Sequence, residues 1–393
     1  MKLFKRIRIT SLLMAIVMLA TLFVPAVSAQ DASVQDTSKD AKMENAKVQL
    51  AKYNITQDDI NYYSKKGFDA EKILKVESRV RYLQSLPEVI KQAPYSPMVS
   101  ADAETQQAIF RHIGNFSCTD AEKQEMEESM KDIWSRFPDK ITKDDYPTLT
   151  KIGTALDEYL AETYVDEGVN GGISVKWAGT GTNTNVHGDL IYHGVNGVYK
   201  NTNWATKAKD HANDPDFADT IPARYYNHFY RPHIPYLGSA PGKCLLYATS
   251  AKNNYASNKD AAFLNLGISS HYLSDVGNPM HTDGPIEQAI DKYYSSSAHI
   301  AYETYVMNNW ASGFKFRDIV SSNTATISVT DPSTAAKNLA SYSNQYYNTL
   351  WTQVTKDPSQ AALNKNSDVW YITSKVIRQT AKYNRGLAAY IKT

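Results

Sequence analysis

The residues of this chain best suited to chemistry lie between positions 271 and 303. His271-Tyr-Leu-Ser-Asp275-Val-Gly-Asn-Pro-Met-His281 is followed, after a loop, by His299-Ile-Ala-Tyr-Glu303. The pairs His271/Asp275 and His299/Glu303 are each four residues apart. On a helix that spacing sets both side chains on one face, one turn apart, which lets two ligands reach one metal ion. Imidazole and carboxylate are suitable zinc ligands, and a site whose protein ligands do not close the coordination shell keeps water and does chemistry. The chain has only two cysteines, Cys118 and Cys244, neither in a C-x-x-C spacing. Any metal here is therefore held by nitrogen and oxygen, while the two thiols either pair or stay buried and free.

Helices must position this cluster. Lys259 to about Val276 has a helical pattern that carries His271 and Asp275, and Gly277, Asn278 and Pro279 end it, so His281 falls on a loop. A helix from near Ser296 carries His299 and Glu303. Upstream, Val-His187-Gly-Asp-Leu-Ile-Tyr-His-Gly-Val also has a helical pattern, followed by the loop His211-Ala-Asn-Asp-Pro-Asp216-Phe217-Ala-Asp219 and by Tyr226-Asn-His228-Phe-Tyr-Arg-Pro232. Gly242 to about Tyr255, Asp331–Thr352 and Asn366–Ile391 complete the helical set. No strand alternation of useful length is present, so residues 177–393 are expected to form a compact all-α, multi-helix domain. His193, His211 and His233 flank ligand positions and are expected to be structural or to support the ligands.

The first 29 residues have the form of an export signal. Lys2, Lys5, Arg6 and Arg8 precede an apolar run from Leu12 to Val24, and Val27-Ser28-Ala29 offers small residues for cleavage. The apolar run is shorter than the roughly 20 residues a membrane span needs. A secreted, soluble product is expected.

Residues 30–176 read as a mostly helical leader and candidate propeptide without chemistry of its own. Positions 30–47 are polar and are expected to be a flexible lead-in. Thr56-Gln-Asp-Asp starts a helical pattern whose apolar face is Ile60, Tyr63, Phe68, Ile73 and Val76. Further helices are expected near Glu104–Ile113, Asp120–Arg136 and Leu149–Tyr164, with Met126, Met130 and Trp134 at core-like spacing and the acids beside them on a solvated face. His112 is expected to be structural. Asp166 to Lys176, with Gly168, Gly171 and Gly172, resembles the joints that proteases cut.

Composition bounds the function. With 42% hydrophobic and 21% charged residues the chain is globular, and at a formal net charge of +1 it lacks the footprint of a long nucleic-acid partner. Its 27 tyrosines suit half-wet surfaces where an apolar ring meets a polar edge. A monomer is expected.

The ordered set of motifs resembles the zinc-dependent phospholipase C family, which includes bacterial phosphatidylcholine-hydrolysing enzymes and clostridial alpha-toxins and is distantly related to P1/S1 nucleases. His271-Tyr-x-x-Asp275-x-x-x-Pro279-x-His281 is similar to the family signature, and the likeness extends over roughly residues 177–310. Trp177 and His187 resemble the family's metal-binding N-terminal tryptophan and first histidine. Pro215-Asp216-Phe217 resembles its Pro-Asp-aromatic element, His228-Phe-Tyr-Arg-Pro232 its His-aromatic-aromatic-x-Pro element, and His299/Glu303 its last ligand pair.

That resemblance implies three zinc ions. Asp216, His228, His271 and Asp275 would hold one; His281, His299 and Glu303 a second that keeps room for solvent; Trp177 and His187 a third, with Asp275 bridging it to the first. The implied reaction is attack of zinc-bound water on the phosphorus of a glycerophospholipid, with the diacylglycerol oxygen leaving and Asp216 serving also as base. Phe217 matches an aromatic position near the family's choline pocket, where it would face a quaternary ammonium, or else it is a core residue. Ser274 replaces a usual glycine or threonine, Thr282-Asp283-Gly284 replaces the usual Ala/Pro-x-Asn, and the loop to His299 is longer than in the closest phospholipases. The chain after Glu303 reads helical, so no counterpart of the clostridial toxins' lipid-binding β-sandwich is expected in it.

The family's tryptophan binds zinc through a free α-amino group and its carbonyl. Here Trp177 follows Lys176 directly, so the resemblance implies a zymogen in which an activating protease cuts Lys176–Trp177. The competing enzymatic reading is a P1/S1-type single-strand nuclease or 3′-nucleotidase. Glu303, where those nucleases carry aspartate, and the interval from Trp177 to His187 weigh against it. A non-catalytic protein with structural zinc is the third reading, and the three-ligand second site weighs against that.

Overall fold

The computed structural model of the chain describes residues 32–164, 185–219, 226–234, 237–283 and 297–393. The export signal, the Lys176–Trp177 bond with Trp177 itself, and the loop before His299 lie outside the described residues. Among the described residues the chain is helical, with no strand, and no helix is long and apolar enough to cross a membrane.

The first part contains α1 (Ala32–Lys52), α2 (Gln57–Ser64), α3 (Ala70–Gln84), α4 (Ala103–Gly114), α5 (Asp120–Arg136) and α6 (Tyr146–Tyr164). Local chemistry sets several of the starts. Thr56 and Asp59 form a reciprocal capping box at α2, and Thr119 and Glu122 another at α5. Positions 32–52 are helical, against the expected lead-in. Ala46 and Leu50 account for the second half of that helix, because they are buried in the core that α3 also enters. On α5, Met126, Met130 and Ile133 are buried, while Trp134 is half-buried and donates its indole N–H to the Met98 carbonyl at 2.8 Å.

The second part contains α7 (Val186–Tyr199), α8 (Thr202–Asp210), α9 (Asp214–Ala218), α10 (Ala240–Asn254), α11 (Lys259–Asp275), α12 (Ser297–Asn308), α13 (Phe316–Ser321), α14 (Pro332–Lys356) and α15 (Ser367–Tyr390). A 3₁₀ turn at Pro279–His281 follows α11. The central helix α11 packs on α8, α10, α7 and α15, and apolar contact alone does not set its depth. A Cβ added at Gly267 would lie 2.2 Å from the Ala208 carbonyl oxygen, so only glycine lets α8 come this close. Cys118 and Cys244 are both free thiols, Cys244 fully buried.

Two apolar clusters fill the interior. One lies wholly in the second part, among α7, α8, α10, α11, α14 and α15. The other is shared: Ile73, Val76 and Val80 of α3, Ile109 and Ile113 of α4, and Leu156 and Leu160 of α6 belong to the same cluster as Tyr346, Leu350 and Trp351 of α14 and Ile372 and Val376 of α15. The expected leader and the expected catalytic half thus bury their apolar faces together.

Asp157 of α6 lies inside that shared region. Tyr95 donates its hydroxyl to Oδ2 of Asp157 at 2.8 Å, and Ser297, at the start of α12, donates to the Asp157 carbonyl at 2.6 Å. Burial pushes the Asp157 carboxyl up to about 7, against the hydrogen bond from Tyr95. The folded chain therefore holds a proton that the unfolded chain releases at the ordinary carboxylate pKa. Stability contributed by the neutral acid is complete below about pH 4 and is lost as pH rises through about 7. Asp157→Asn keeps an acceptor for Tyr95 and removes the charge. It is expected to raise the urea midpoint at about pH 8, by the equivalent of a few kcal/mol, and to leave it nearly unchanged at about pH 4. Equal shifts at both pH values would contradict the assignment.

Candidate metal centre

Eight of the nine sequence-predicted ligands lie within the described residues, and the fold brings all eight together in three groups of convergent donor atoms: His187, His271 and Asp275; Asp216, His228 and His271; and His281, His299 and Glu303. Each group could hold a metal ion. The helices do most of the positioning. His187 is on the first turn of α7, started by the Asn185 side chain accepting from the Gly188 N–H. Asp216 sits on the short α9, His271 and Asp275 one turn apart on α11, and His299 and Glu303 one turn apart on α12.

Asp275 stands at the centre and uses its two oxygens differently. Its Oδ1 is 3.4 Å from Nε2 of His187, whereas its Oδ2 is 2.9 Å from Nδ1 of His228 and 3.2 Å from Nε2 of His271. Oδ1 of Asp216 closes on the same two imidazoles, 3.5 Å from His271 and 3.7 Å from His228. In the third group Oε1 of Glu303 is 3.0 Å from Nε2 of His281 and 2.8 Å from Nε2 of His299, and the two ring nitrogens are themselves 3.0 Å apart.

Backbone carbonyls fix which nitrogen faces inward. Nδ1 of His271 is 2.7 Å from the Ala212 carbonyl, and Nδ1 of His281 is 2.8 Å from the His228 carbonyl. A ring nitrogen facing a carbonyl must carry the proton, so Nε2 of each histidine presents a lone pair to the site. Convergent lone pairs and carboxylate oxygens in a buried space suit a cation between them, and nitrogen with oxygen is a donor set that zinc, among other divalent metals, accepts.

The electrostatics follow from packing. Burial favours the neutral acid at Asp275, but His271 and His228 outweigh it and hold the carboxyl well below its usual range. At Glu303, His299 and His281 likewise overcome burial and lower the pKa. Burial, aided by the neighbouring His271, drives His187 down to about 3, so it stays a neutral donor. His228 goes the other way: burial lowers it, but Asp275 and Asp219 raise it to about 9.

Several supporting residues carried no signal in the ligand spacing. Asp219 faces the outer nitrogen of His228, with Oδ2 at 3.3 Å from Nε2. The same oxygen accepts from Asn227 at 2.9 Å and from the Tyr272 hydroxyl at 3.0 Å. Asn278 donates to Glu303 at 3.1 Å. A buried ion pair between Arg231 and Asp283, at 2.7 Å, ties the segment after His228 to the segment after His281. Asp189, two residues after His187, receives the Trp310 indole N–H at 2.9 Å and Lys209 at 2.7 Å, which anchors α7 beside the site.

The other histidines are peripheral. His112 is buried, 2.9 Å from the Thr355 carbonyl; His211 faces Asp214 at 2.7 Å; His193 packs edge-on against Tyr192. Phe217, beside Asp216, is 80% exposed, so the core alternative is excluded.

No protein-family model matches the chain. Over 103 residues, 25% of this chain and 33% of the relative, the sequence is 33% identical to a protein of Listeria monocytogenes serovar 1/2a (strain ATCC BAA-679 / EGD-e) named phospholipase C. The chain therefore spans about a third of the length of that curated relative. Among solved structures, the alpha toxin from Clostridium absonum aligns with a TM-score of 0.36 and 18% identity, over 57% of this chain and 65% of the toxin. The alpha-toxin of Clostridium perfringens avian strain SWCP aligns with a TM-score of 0.29 and 14% identity, over 61% of this chain and 63% of the toxin. The resemblance to the phospholipase C family read in the sequence is borne out by the curated match, which spans a quarter of the chain.

Proposed function

We propose that the chain is a secreted zinc-dependent phospholipase C, hydrolysing glycerophospholipids to diacylglycerol and a phosphorylated headgroup. The observation that carries this reading is the convergence of eight buried or half-buried residues into three groups of nitrogen and oxygen donors, with His187, His228 and His271 closing on the carboxylate of Asp275. Asp216, His228, His271 and Asp275 would hold one zinc ion and His281, His299 and Glu303 a second. His187, Asp275 and the amine and carbonyl of Trp177 would hold a third. The chemistry zinc supplies when bound is Lewis acidity, which lowers the pKa of water towards neutrality and offsets charge building on phosphate oxygens.

The chain's own residues do the rest. The Ala212 and His228 carbonyls keep His271 and His281 in the tautomer that donates inward. Asp219 orients His228 from behind, the carboxylate–histidine arrangement that sharpens a metal ligand. Asp216 accepts a proton from the attacking water at a carboxylate oxygen as the phosphorus–oxygen bond to diacylglycerol breaks. Phe217, exposed beside Asp216, offers an aromatic face to the lipid headgroup.

We further propose that the Lys176–Trp177 bond is cut in the active form. An uncut amide nitrogen has no lone pair for zinc, so only cleavage lets Trp177 complete the third group.

Purified active protein should release diacylglycerol and phosphocholine from phosphatidylcholine and lose that activity on chelation, with recovery on adding zinc. Asp216→Asn is expected to lower kcat by about 10²–10⁴-fold. Cleavage of single-stranded DNA without lipid hydrolysis would instead identify the nuclease alternative. Asp219→Asn should weaken zinc binding about 10–100-fold in competition with a chelator while leaving the far-ultraviolet spectrum intact; an unchanged affinity would remove Asp219 from any positioning role. N-terminal sequencing of the secreted active species is expected to return an N-terminus at Trp177, and an active species with an N-terminus only at Gln30 would sink the cleavage proposal.

A further inference from the structure

We infer that residues 32–164 are a permanent, non-covalent subunit of the catalytic half: once the connection after residue 164 is cut, the two pieces stay together as a two-chain protein. This goes beyond the phospholipase reading and draws on it only for where the natural cut falls.

The contact between the two parts has the anatomy of an obligate interface, not of a removable cover. Its apolar portion is a common core, with Tyr346, Tyr347, Leu350, Trp351 and Val354 of α14 in one cluster with side chains of α3, α4 and α6. Tyr63 and Phe68, at the end of α2 and just beyond it, each bring a ring to 4.7 Å from that of Tyr371 on α15, Phe68 stacked at 8°. Losing the first part would expose these faces together, and an exposed apolar patch of that kind drives aggregation. Obligate interfaces resemble a domain core cut in half, and this one is continuous with the core.

Polar ties set the register. Glu77 of α3, buried, accepts from the Tyr371 hydroxyl at 2.7 Å and the Tyr346 hydroxyl at 3.2 Å, and pairs with Lys375 of α15. His112 meets the Thr355 carbonyl at 2.9 Å, and Ser96 donates to Asn348 at 3.1 Å. Asp59 pairs with Arg378 at 2.5 Å. A buried carboxylate with three donors from the other part is costly to leave half-made, so these contacts favour one mutual arrangement. The ties and the apolar faces belong to residues on both sides of positions 165–184. The association therefore does not depend on the chain being continuous there.

The test uses the full chain with a site-specific protease sequence replacing residues 168–174, cut to completion in native buffer. Size exclusion with light scattering at about 1 µM should return one species with the mass of the uncut chain, while denaturing gels show two pieces. Elution of the smaller piece by itself in native buffer would overturn the inference. Glu77→Ala, first checked to fold as the uncut chain, should loosen the cut complex by at least ~10-fold; association as tight as in the parent would remove Glu77 from the interface argument. Zinc content and lipid hydrolysis are read separately on the same samples. A complex that holds together but hydrolyses no lipid counts against the phospholipase reading and for this one.

Discussion

The structure depends on keeping one carboxylate, Asp275, ionised in a place that water does not reach. A buried charge of this kind is tolerated only when opposite charge or strong donors surround it. His187, His228 and His271 close on its two oxygens from three different segments of the chain, and each must arrive from its own direction. The arrangement divides the oxygens, one toward His187 and the other toward His228 and His271. Asp275 thereby contacts two of the three donor groups, which also share His271.

Much of the second half can be understood as the scaffold for that convergence. Gly267 lets α8 approach α11, and the Ala212 carbonyl just past α8 then meets the outer nitrogen of His271. The segment at 228–230 and the turn at 279–281 contact each other through the main chain: the His228 carbonyl faces the His281 ring, and the Tyr230 N–H donates to the His281 carbonyl at 3.1 Å. One histidine of the cluster thus orients another through the main chain. A donor set positioned by backbone is pre-organised, so binding a cation would cost little reorganisation.

Part of the donor cluster was legible in the sequence because metal chemistry demands particular side chains at particular helical spacings, while His187, Asp216 and His228 came only with the family resemblance. His271/Asp275 and His299/Glu303 could be paired from spacing alone, and the all-α architecture followed from periodicity. The supporting residues were not legible. Asp219 has no spacing rule linking it to His228, and Asn278 or Asp189 resembles any other polar residue until the fold places it. The shared core was hidden for a related reason. An amphipathic helix announces that its apolar face will be covered but not by what, so Tyr63 and Ile73 read as the core of a separate leader. Glu77 gave no hint of Lys375, which is 298 residues away. The polar composition of positions 30–47 conceals Ala46, which together with Leu50 just beyond them docks the helix at Ala32–Lys52.

The central claim is that Asp275 joins two metal sites inside one cluster. Crystals of the active protein, measured on both sides of the zinc absorption edge, test it directly. The account predicts three anomalous peaks: one against Asp216, His228, His271 and Asp275, one against His187 and the other oxygen of Asp275, and one against His281, His299 and Glu303. Zinc peaks only at the protein surface, or none in contact with Asp275, would contradict it.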